Sequence, residues 1–560
     1  RFVGPSPESI EAMGSKVRAK ELMADAGVPV LPSVTISEST DLKAAGGEVG
    51  FPLLVKAAFG GGGRGMRIVN SEDDLAESVA SAQREAQSAF GDGSVFLERF
   101  VVSPRHVEVQ VFGDALGNVV QLFERECSIQ RRYQKIVEEA PSPAVDDNLR
   151  KVLGSAAVTA AKALGYVGAG TVEFVMDGNN DFYFLEVNTR LQVEHPVTEQ
   201  ITGLDLVELQ LRVAAGEPLP PEALSASING HAIEARLYAE DVSADFTPAS
   251  GIIEHFQIPA DEGIRIEAGY ASGSSVSTYY DAMLAKIIAW GATRDQATRR
   301  LADTLTRTRV HGVPTNAELL VSVLRHREFH AGRTDTGFLE RNIVPFLFDK
   351  ADPQRPSMAV AAAIAAQVRR RRSALVQQSV PSGWRNVPTG LQRTKMEDAS
   401  GPVDVGYRFV GSDLAAVEID GEVVEEVRLW LATTDSVDLT LGGLRHKYGI
   451  EMIGDHIYVD GADATATFRL VDRFPSPEPG TAEGSLLAPM PGTVVRVLVS
   501  PGTSVSDGEI LIVIEAMKME HPIKSPYPGT VVAVACETGQ QVDAGSILTV
   551  VEPAVTQNDT

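Results

Sequence analysis

The chain has 560 residues and is 44% hydrophobic, which gives room for three or four domains with substantial cores. Its formal net charge of −25 argues against nucleic acid or an anionic membrane as a partner, so any anionic substrate must be held by local basic groups. The only cysteines are Cys127 and Cys536, which excludes a disulfide framework and favours a reducing compartment.

The first residues predict a helix that follows the end of a buried strand. Residues 2–5 are typical of a strand end, and the run Ser6-Pro7-Glu8 supplies the cap, the proline and the acidic residue that favour a helix start. Because the body of that strand is not in the sequence, we expect further sequence upstream of Arg1.

A glycine-rich segment lies between two predicted strands, at 52–57 and 66–69. Lys56 precedes the segment 60–65, in which Arg64 interrupts the glycines. Glycines let backbone N–H groups approach a phosphate closely, but the segment lacks the Gly-Lys-Ser/Thr ending of a P-loop. A phosphate-binding loop and a flexible surface turn therefore remain equal alternatives for this segment alone.

A predicted hairpin further along carries two carboxylates. It follows a helix at 72–90, strands at 95–101, 106–112 and 119–123, and a helix at about 147–164. If the turn between its strands has four residues, Glu173 lies opposite Glu186, and Asn188 shares the face of Glu186. Oxygen ligands of this kind suit Mg²⁺ or Mn²⁺, and a solvated charged face is the alternative.

Beyond this hairpin the chain changes character twice. Mixed strands and helices to about residue 345 fit an α+β catalytic region. An alanine-rich stretch at 352–374 ends in four arginines, which a solvated helix end explains better than a binding site, and its weakly polar part is too short to span a bilayer. Short alternating strands at 378–472 predict a separate, mainly β domain, followed by a proline- and glycine-rich linker.

A repeat with a spacing of 37 residues occupies the C-terminal region. The run Pro491-Gly492-Thr493-Val494-Val495 recurs as Pro528-Gly529-Thr530-Val531-Val532, and the glycines and aliphatic residues that follow recur at the same spacing. Two such copies predict two strand-rich halves related by a pseudo-twofold axis. The connection between them, roughly 515–524, then forms an exposed hairpin with Lys518 near its tip.

The run Ala516-Met517-Lys518-Met519 resembles the attachment motif of a biotin carboxyl carrier domain, over about residues 485–553. The resemblance implies a flattened, biotinyl/lipoyl-type β-barrel with biotin attached covalently to Lys518 by a biotin protein ligase. Lipoyl domains share this architecture but usually lack methionine on both sides of the lysine. An ordinary surface lysine on a hairpin is the alternative.

Residues 1–345 resemble an ATP-grasp enzyme, and within that class the biotin carboxylase component of biotin-dependent carboxylases. The matching runs are Met13 to Lys16, Lys56 to Met66, Pro104 to Glu108, Glu126 to Arg132, Glu138 to Pro141 and, most specifically, Glu186 to Pro196. The resemblance implies the end of an N-terminal lobe at 1–30, an ATP-grasp lid at 31–103, and the ATP-grasp core with the carboxylase C-terminal region at 104–345.

The resemblance also implies a role for each matching side chain. The implied ATP-binding residues are Lys16, Lys56, Gly61, Gly62, Gly63, Glu98, Arg99, Val101, His106 and Gln130. The implied ligands of Mg²⁺ or Mn²⁺ are Glu173, Glu186 and Asn188. Bicarbonate would be bound by Arg190, Gln192 and Val193 and deprotonated by Glu194, Lys135 would lie near the transferred phosphate, and Arg265 would stabilise the biotin enolate.

One local feature supports this match and another departs from it. In an extended segment Arg190, Gln192 and Glu194 project from one face, as a shared site for a small anion requires. Tyr133 stands where the resemblance leads us to expect histidine near the ribose, which affects nucleotide affinity rather than the chemistry.

The run Pro381 to Asn386 resembles the start of the linking domain in α subunits of propionyl-CoA and methylcrotonyl-CoA carboxylases. The resemblance implies a linker helix at 346–377, a domain at 378–474 that docks a carboxyltransferase β subunit, a Pro/Gly linker at 475–484, and assembly into a large complex such as α6β6. The tethered carrier would then serve both active sites at high effective concentration.

The chain is thus identified as a member of the α subunits of biotin-dependent acyl-CoA carboxylases. These carboxylate biotin on their own carrier domain with ATP and bicarbonate and feed a separate carboxyltransferase. A non-catalytic carrier and scaffold without the first lobe, or a pyruvate carboxylase fragment, are the alternatives, although 378–472 is too short for a carboxyltransferase barrel. The acyl-CoA is not specified, because its pocket would lie on the partner. The expected location is the cytoplasm in a bacterium or the mitochondrial matrix in a eukaryote.

Overall fold

The computed structural model describes residues 2–37, 39–58, 66–131, 134–342, 354–377, 380, 382–384, 386, 390–462, 464–472, 474, 484–516 and 519–553. Within these ranges the chain forms a small N-terminal sheet, a large antiparallel sheet covered by helices, a β domain built around one helix, and two small C-terminal sheets. The multidomain α+β class expected from the sequence is confirmed.

The N-terminal region consists of short capped helices and a four-stranded sheet. Its elements are α1 (Pro7–Gly14), α2 (Lys16–Asp25), β1 (Ser33–Thr35), α3 (Leu42–Val49), β2 (Leu53–Ala57), β3 (Arg67–Val69), α4 (Leu75–Phe90) and β4 (Val95–Arg99). The hydroxyl of Ser15 accepts a hydrogen bond from Arg18 N and caps α2, which fixes where the helix that begins with Lys16 starts. The strands lie in the order β1-β4-β2-β3.

An eight-stranded antiparallel sheet forms the centre of the catalytic region. Its strands are β5 (Arg105–Gly113), β6 (Val119–Arg131), β7 (Gln134–Ala140), β8 (Gly168–Met176), β9 (Phe182–Asn188), β10 (His231–Tyr238), β15 (Ile264–Ala268) and β17 (Met283–Gly291), in the order β15-β17-β10-β7-β6-β5-β8-β9. The register places Glu173 opposite both Glu186 and Glu108, as the predicted hairpin requires for the first of these pairs. Charged residues therefore cross the middle of this sheet.

Helices and short strands cover the same sheet. The helices are α5 (Asp147–Ala163), α6 (His195–Thr202), α7 (Leu206–Ala215), α8 (Pro221–Leu224), α9 (Arg294–Arg307), α10 (Ala317–Arg325), α11 (Arg327–His330) and α12 (Phe338–Asn342). The short strands are β11 (Glu240–Asp241), β12 (Thr247–Pro248), β13 (Gly251–Ile252), β14 (His255–Gln257), β16 (Ser275–Val276) and β18 (Arg309–His311).

The next domain wraps a nine-stranded sheet around the helix α13 (Arg355–Arg372). The strands are β19 (Gln392–Asp398), β20 (Gly401–Val410), β21 (Asp413–Ile419), β22 (Glu422–Val424), β23 (Arg428–Ala432), β24 (Ser436–Leu441), β25 (Leu444–Ile453), β26 (His456–Asp460) and β27 (Thr465–Leu470), in the order β22-β21-β20-β19-β27-β26-β25-β24-β23. Helix residues 358–366 are almost fully buried on every side, so small alanines let the sheet approach closely.

This arrangement corrects one domain boundary. The sequence analysis placed residues 346–377 outside the β domain as a linker helix, whereas α13 is the centre of that domain's core. Its terminal arginines are tied to the sheet: Arg369 donates to Gly454 O, Arg370 to the Tyr407 hydroxyl, and Arg372 to the Thr434 hydroxyl. In the described ranges no helix combines the length and the apolarity that crossing a membrane would need.

The C-terminal domain has two four-stranded sheets that share the predicted repeat. Its strands are β28 (Ser485–Leu487), β29 (Gly492–Val497), β30 (Ser504–Val505), β31 (Ile510–Ala516), β32 (Met519–Lys524), β33 (Gly529–Val534), β34 (Gln541–Val542) and β35 (Ile547–Pro553). Strands β29, β30 and β31 correspond to β33, β34 and β35 at the 37-residue spacing read from the sequence. The sheets have the orders β28-β35-β33-β30 and β32-β31-β29-β34, which form the expected flattened barrel.

Candidate active site

Lys135 of β7 is the hub of a buried charged cluster. Its Nζ lies 2.5 Å from Glu108 Oε2, 3.0 Å from Glu173 Oε1 and 2.6 Å from Glu194 Oε1. Burial opposes the charge of Lys135, but these carboxylates raise the pKa of Lys135 well above its ordinary value. The lysine of β7 is therefore held as a cation by carboxylates from β5, from β8 and from the start of α6.

Glu194 lies at the start of α6 with both carboxylate oxygens against cations. Lys135 contacts Oε1, and Arg236 of β10 donates from Nη2 to Oε2 at 3.1 Å. The Glu194 residue is fully buried. Two charge-assisted contacts therefore fix the orientation of this carboxylate, as a base for a small substrate requires.

Arg190 and Gln192 are brought together in the segment that leads to Glu194. Arg190 Nη1 donates to Gln192 Oε1 at 2.9 Å, and Gln192 Nε2 donates to Glu173 Oε1 at 3.1 Å. The backbone carbonyl of Val193 accepts a hydrogen bond from Lys286 Nζ at 2.8 Å. The prediction of one extended face is wrong in detail, because the chain leaves β9 at Asn188 and turns at residues 193–194 into α6. Arg190 stays exposed while Gln192 is buried.

The predicted metal ligands lie on the hairpin formed by β8 and β9. Glu173 and Glu186 are direct partners in the register, and Asn188 Nδ2 donates to Glu173 Oε1 at 2.8 Å. Burial opposes ionisation of Glu173, yet Lys135 and His106 lower its pKa below the ordinary value. Burial and the facing Glu173 carboxylate raise the pKa of Glu186. Among the described residues, Glu173 forms ion pairs with Lys135 and His106, whereas Glu186 is influenced by Lys16, His106 and Lys135 without an ion pair of its own.

This donor set fits a hard divalent cation. Mg²⁺ and Mn²⁺ prefer carboxylate and amide oxygens, and a cation between the two carboxylates would relieve the repulsion that raises the pKa of Glu186. In the described residues, the groups that already gather within 4.8 Å as potential ligands are His106, Glu108 and Glu173, and Glu108, Cys127 and Glu194. Glu186 belongs to neither group, so the predicted set is brought only partly together.

Three lysines gather at the N-terminal sheet. Glu98 of β4 is buried and forms ion pairs with Lys20 and Lys56. Lys20 was not among the predicted residues, and Glu98, predicted to border the adenine, holds two lysine side chains here. Burial lowers the pKa of Lys16, and the nearby Glu186 and Glu98 carboxylates only partly oppose this effect, so a bound anion would stabilise its charged form. Phosphate oxygens would supply that anion.

The remaining predicted nucleotide residues are less closely grouped. Gln130 Nε2 lies 2.7 Å from His106 Nδ1, and His106 Nε2 lies 2.9 Å from Glu173 Oε2, so these two side chains join the site. Arg99 is exposed and Val101 is half-buried at the end of β4. Gly61, Gly62 and Gly63 lie outside the described residues, as does Tyr133.

Glu108 and Arg125 support the cluster from beneath, and the sequence analysis assigned neither a role. Arg125 is fully buried and donates to Glu108, Gln110, Thr198 and Thr171. Burial opposes ionisation of Glu108, but Lys135 and Arg125 lower its pKa to about 2. A signal for such residues was present in the sequence. Charged and apolar residues alternate in strands 105–113 and 231–238, and this pattern indicates that one face of each strand carries charges into the site.

Arg265 lies further from the base than the resemblance implied. Its guanidinium pairs with Glu199 Oε2 at 2.6 Å and with Glu267, and its side chain is 34% exposed. Glu267 also pairs with Lys286, whose Nζ donates to the Val193 carbonyl, and Glu199 lies on α6, so Arg265 contacts neighbours of the bicarbonate segment and not Glu194 itself. Among the described residues, the arginine in contact with Glu194 is Arg236, which was not among the predicted site residues.

The carrier hairpin is present around Lys518. Ala516 of β31 pairs with Met519 of β32, and Glu515 pairs with Glu520. Met517 and Lys518, between these strands, lie outside the described residues. The paired strands on both sides fit a motif that presents one residue for enzymatic modification.

Four family models match the chain in the order of its domains. The model for "Carbamoyl-phosphate synthase L chain, ATP binding domain" matches residues 15–222, and that for "Biotin carboxylase C-terminal domain" matches 234–341. The model for "Methylcrotonyl-CoA carboxylase, alpha-subunit, BT domain" matches 355–473, and that for "Biotin-requiring enzyme" matches 484–551. The third range includes α13, in agreement with the corrected boundary.

Two relatives are similar to this chain over nearly its whole length, and a solved structure is similar to its carboxylase region. The mitochondrial methylcrotonoyl-CoA carboxylase subunit alpha of Dictyostelium discoideum is 40% identical over 94% of this chain and 78% of that protein. The propionyl-CoA carboxylase alpha chain of Ruegeria pomeroyi is 38% identical over 94% of this chain and 81% of that protein. The biotin carboxylase domain of Hydrogenobacter thermophilus 2-oxoglutarate carboxylase, solved with MgADP, ADP and bicarbonate, is 43% identical, with a TM-score of 0.60 over 63% of this chain and 78% of that one.

Proposed function

The chain belongs to the α subunits of the biotin-dependent acyl-CoA carboxylases, and from this membership we propose how its own residues perform the carboxylation of biotin. It combines an ATP-dependent biotin carboxylase with its own biotin carrier domain in one polypeptide. This combination favours the carboxylase over the two alternatives raised by the sequence, the scaffold and the pyruvate carboxylase fragment. The roles of individual residues are the proposal.

Glu194 is the base that removes the proton of bicarbonate. Its carboxylate is buried, and its contacts with Lys135 and Arg236 fix its orientation at the end of the segment that carries Arg190. Bicarbonate is a weak nucleophile until that proton leaves, so a fixed carboxylate beside cationic donors is the group that the reaction needs. This geometry is the single observation that carries the proposal.

Arg190, Gln192 and the Val193 backbone hold the bicarbonate anion. The Arg190–Gln192 hydrogen bond places a cation and an amide within one short segment next to Glu194. An arginine offers paired N–H donors that match the two oxygens of a carbonate-type anion. Because Lys286 fixes the Val193 carbonyl, the segment stays in place when the substrate binds.

Lys16, Lys56 and Lys135 neutralise the charge of ATP phosphates during transfer to bicarbonate. Phosphoryl transfer depends mostly on positioning and on compensating the charge of the phosphate oxygens. Glu173, Glu186 and Asn188 would hold Mg²⁺ or Mn²⁺, which supplies further charge compensation at those oxygens. Lys20 and Glu98 support Lys56 from the side of β4.

Arg236, rather than Arg265, is the cation available for negative charge that develops on the second substrate. Lys518 would hold biotin, whose ureido nitrogen would supply the acceptor for the carboxyl group. Arg236 lies on the Glu194 side of the site and is buried, so its charge acts in surroundings that screen it little. Arg265 contributes by holding Glu267 and thereby Lys286.

Alpha subunits of acyl-CoA carboxylases typically pair with a carboxyltransferase β subunit. We infer that the β domain around α13 docks this partner and that six copies of each subunit assemble. The match of residues 355–473 to the methylcrotonyl-CoA carboxylase domain makes 3-methylcrotonoyl-CoA the first acyl-CoA to test, before propionyl-CoA. The relatives named mitochondrial support the mitochondrial matrix for a eukaryotic source, with the cytoplasm for a bacterial one.

The test uses the biotinylated chain with labelled bicarbonate and Mg-ATP. A mass gain of one biotinyl group on the peptide that contains Lys518 verifies the carrier. The wild-type protein is then expected to incorporate label, and Glu194→Gln to lose about 100-fold or more of that rate while still binding ATP. Glu222→Gln, on an exposed helix away from the site, is the matched control. A Glu194→Gln protein that fixes bicarbonate at the wild-type rate contradicts the proposal.

A further inference from the structure

Two glutamates outside the roles assigned above face each other beside the active site. Glu138 of β7 and Glu234 of β10 are direct partners in the antiparallel register, and both residues are fully buried. Side chains at such positions lie about 5 Å apart. Two carboxylates at that separation, both removed from water, repel each other strongly unless one of them holds a proton.

The cations near the pair do not balance it. Arg236 Nη2 lies 2.5 Å from Glu138 Oε1, but the contact lacks hydrogen-bond alignment, and the same nitrogen donates to Glu194 Oε2 at 3.1 Å. Among the described residues, none of the four carboxylate oxygens of Glu138 and Glu234 accepts a hydrogen bond, and Arg236 Nε also lacks a partner. One guanidinium is therefore shared between the pair and the proposed base.

The charges that face the pair come from several elements. The charged groups are Lys135 from β7, Arg236 from β10, Lys286 from β17 and Glu194 from the start of α6, and the neutral Tyr238 hydroxyl of β10 faces them too. Lys135 is already engaged by Glu108, Glu173 and Glu194, and Lys286 by Glu267 and the Val193 carbonyl. Among these groups, Arg236 is therefore the cation that directly contacts the pair.

We propose that Glu138 and Glu234 share one proton and act as positioning residues that hold Arg236 against Glu194. This inference rests on the proposed role of Glu194. With one proton on the pair, a single negative charge anchors the guanidinium on the Glu138 side, and Nη2 still reaches Glu194. When that proton leaves to solvent, a second buried anion draws Arg236 away from Glu194, and the base loses one of its two orienting contacts.

The titration of the pair falls in a range where this arrangement responds to pH. Burial raises the pKa of Glu138 to about 7 against the opposing effect of Arg236. Burial and the neighbouring Glu138 carboxylate raise the pKa of Glu234 well above its ordinary value. Because the two groups interact, the protons leave in steps that belong to the pair rather than to either residue.

The first measurement is the pH profile of bicarbonate-dependent ATP hydrolysis by the biotinylated chain. The wild-type kcat is expected to fall on the alkaline side as the pair ionises. Glu234→Gln keeps a neutral side chain of the same shape, so the alkaline fall should disappear from its profile. Glu138→Gln removes the anchor and should lower kcat about 10-fold or more at neutral pH with little change in the KM for ATP. Glu262→Gln, an exposed change, should reproduce the wild-type profile.

A second measurement detects the proton without activity. Infrared difference spectra between wild type and Glu234→Gln should show the carbonyl band of a protonated carboxyl at neutral pH, and that band should vanish at the pH where kcat falls. The inference is overturned if the band is missing, or if Glu234→Gln retains the wild-type alkaline fall. If Glu194→Gln fixes bicarbonate normally, the proposed function fails, and the positioning role fails with it even when the band is present.

Discussion

Arg236 Nη2 lies 3.1 Å from Glu194 Oε2, across the gap between β10 and the start of α6. The contact places a buried cation on the proposed base, while Arg265 pairs with Glu199 and Glu267 on a partly exposed strand. The sequence alone gives no reason to prefer one of these two arginines as the catalytic cation. Their surroundings in the structure distinguish them. The difference gives them different expected effects on catalysis.

We expect Arg236→Met to reduce biotin carboxylation about 100-fold or more, because a buried donor beside the reacting groups is lost. Arg265→Met should cost much less, since its guanidinium pairs with Glu199 and Glu267 rather than with Glu194. Rates of labelled bicarbonate fixation by the two biotinylated variants, compared at saturating ATP, decide the order. Equal losses, or a larger loss for Arg265→Met, would restore the assignment made from the sequence.

The carboxylates of the hairpin make a separate prediction about metal dependence. Glu186→Gln removes the carboxylate whose pKa is raised by burial and by the facing Glu173 carboxylate. We expect the Mg²⁺ concentration for half-maximal ATP hydrolysis to rise about 10-fold or more, with activity partly recovered at high Mg²⁺. Asp181→Asn, in the exposed turn of the same hairpin, is the control. An unchanged Mg²⁺ requirement would place the metal elsewhere.

Much of this architecture could be predicted from the sequence because local patterns specified it. The spacing of 37 residues fixed three strand correspondences in the carrier domain, and the hairpin register put Glu173 opposite Glu186 as expected. Both features depend on turns and alternation, which are short-range properties of the chain.

The contacts that the sequence did not reveal join residues far apart in the chain. Lys20 meets Glu98, and Arg236 meets Glu194, only after strands and helices have packed. The sequence predicts α13 as a linker helix, because its alanine-rich stretch does not show which surface would cover it. Its burial on all sides depends on a sheet that follows it in sequence. Hydrophobic periodicity carries no information on which partner surrounds a helix.

A third prediction concerns the dependence of stability on pH. Glu139 is buried and accepts from Arg294 at 2.6 Å and contacts His231 Nε2 at 2.7 Å, which joins β7 to β10 and α9. Burial opposes ionisation of Glu139, but His231 and Arg294 lower its pKa to about 2, below the reference value of 4.5. The ionised form is thus favoured by folding, and the stabilisation is present above pH 4.5 and is lost as the pH falls toward 2.

Replacing Glu139 by glutamine should therefore lower the free energy of unfolding of the carboxylase region by about 3 kcal/mol at neutral pH. The difference from wild type should shrink in the window between pH 4.5 and pH 2. Urea unfolding followed at pH 7 and at pH 3.5 measures both values. A deficit that is the same at the two pH values would show that the glutamine perturbs packing rather than the ion pairs.

The last prediction separates partner docking from carboxylation. Ala362 lies in the middle of α13 and is fully buried by the surrounding sheet, so Ala362→Asp places an unpaired charge in the core of the β domain. We expect that domain to unfold, because the cost of several kcal/mol exceeds what a domain of this size can absorb. The catalytic region and the carrier have cores of their own and should stay folded. The variant should therefore lose the carboxyltransferase β subunit in co-purification while still fixing bicarbonate on its own biotin.

Ser373→Asp, exposed at the end of the same helix, should keep both properties. Limited proteolysis verifies which domain has opened, and a variant with an opened β domain that still binds the β subunit would move the docking surface to another part of the chain.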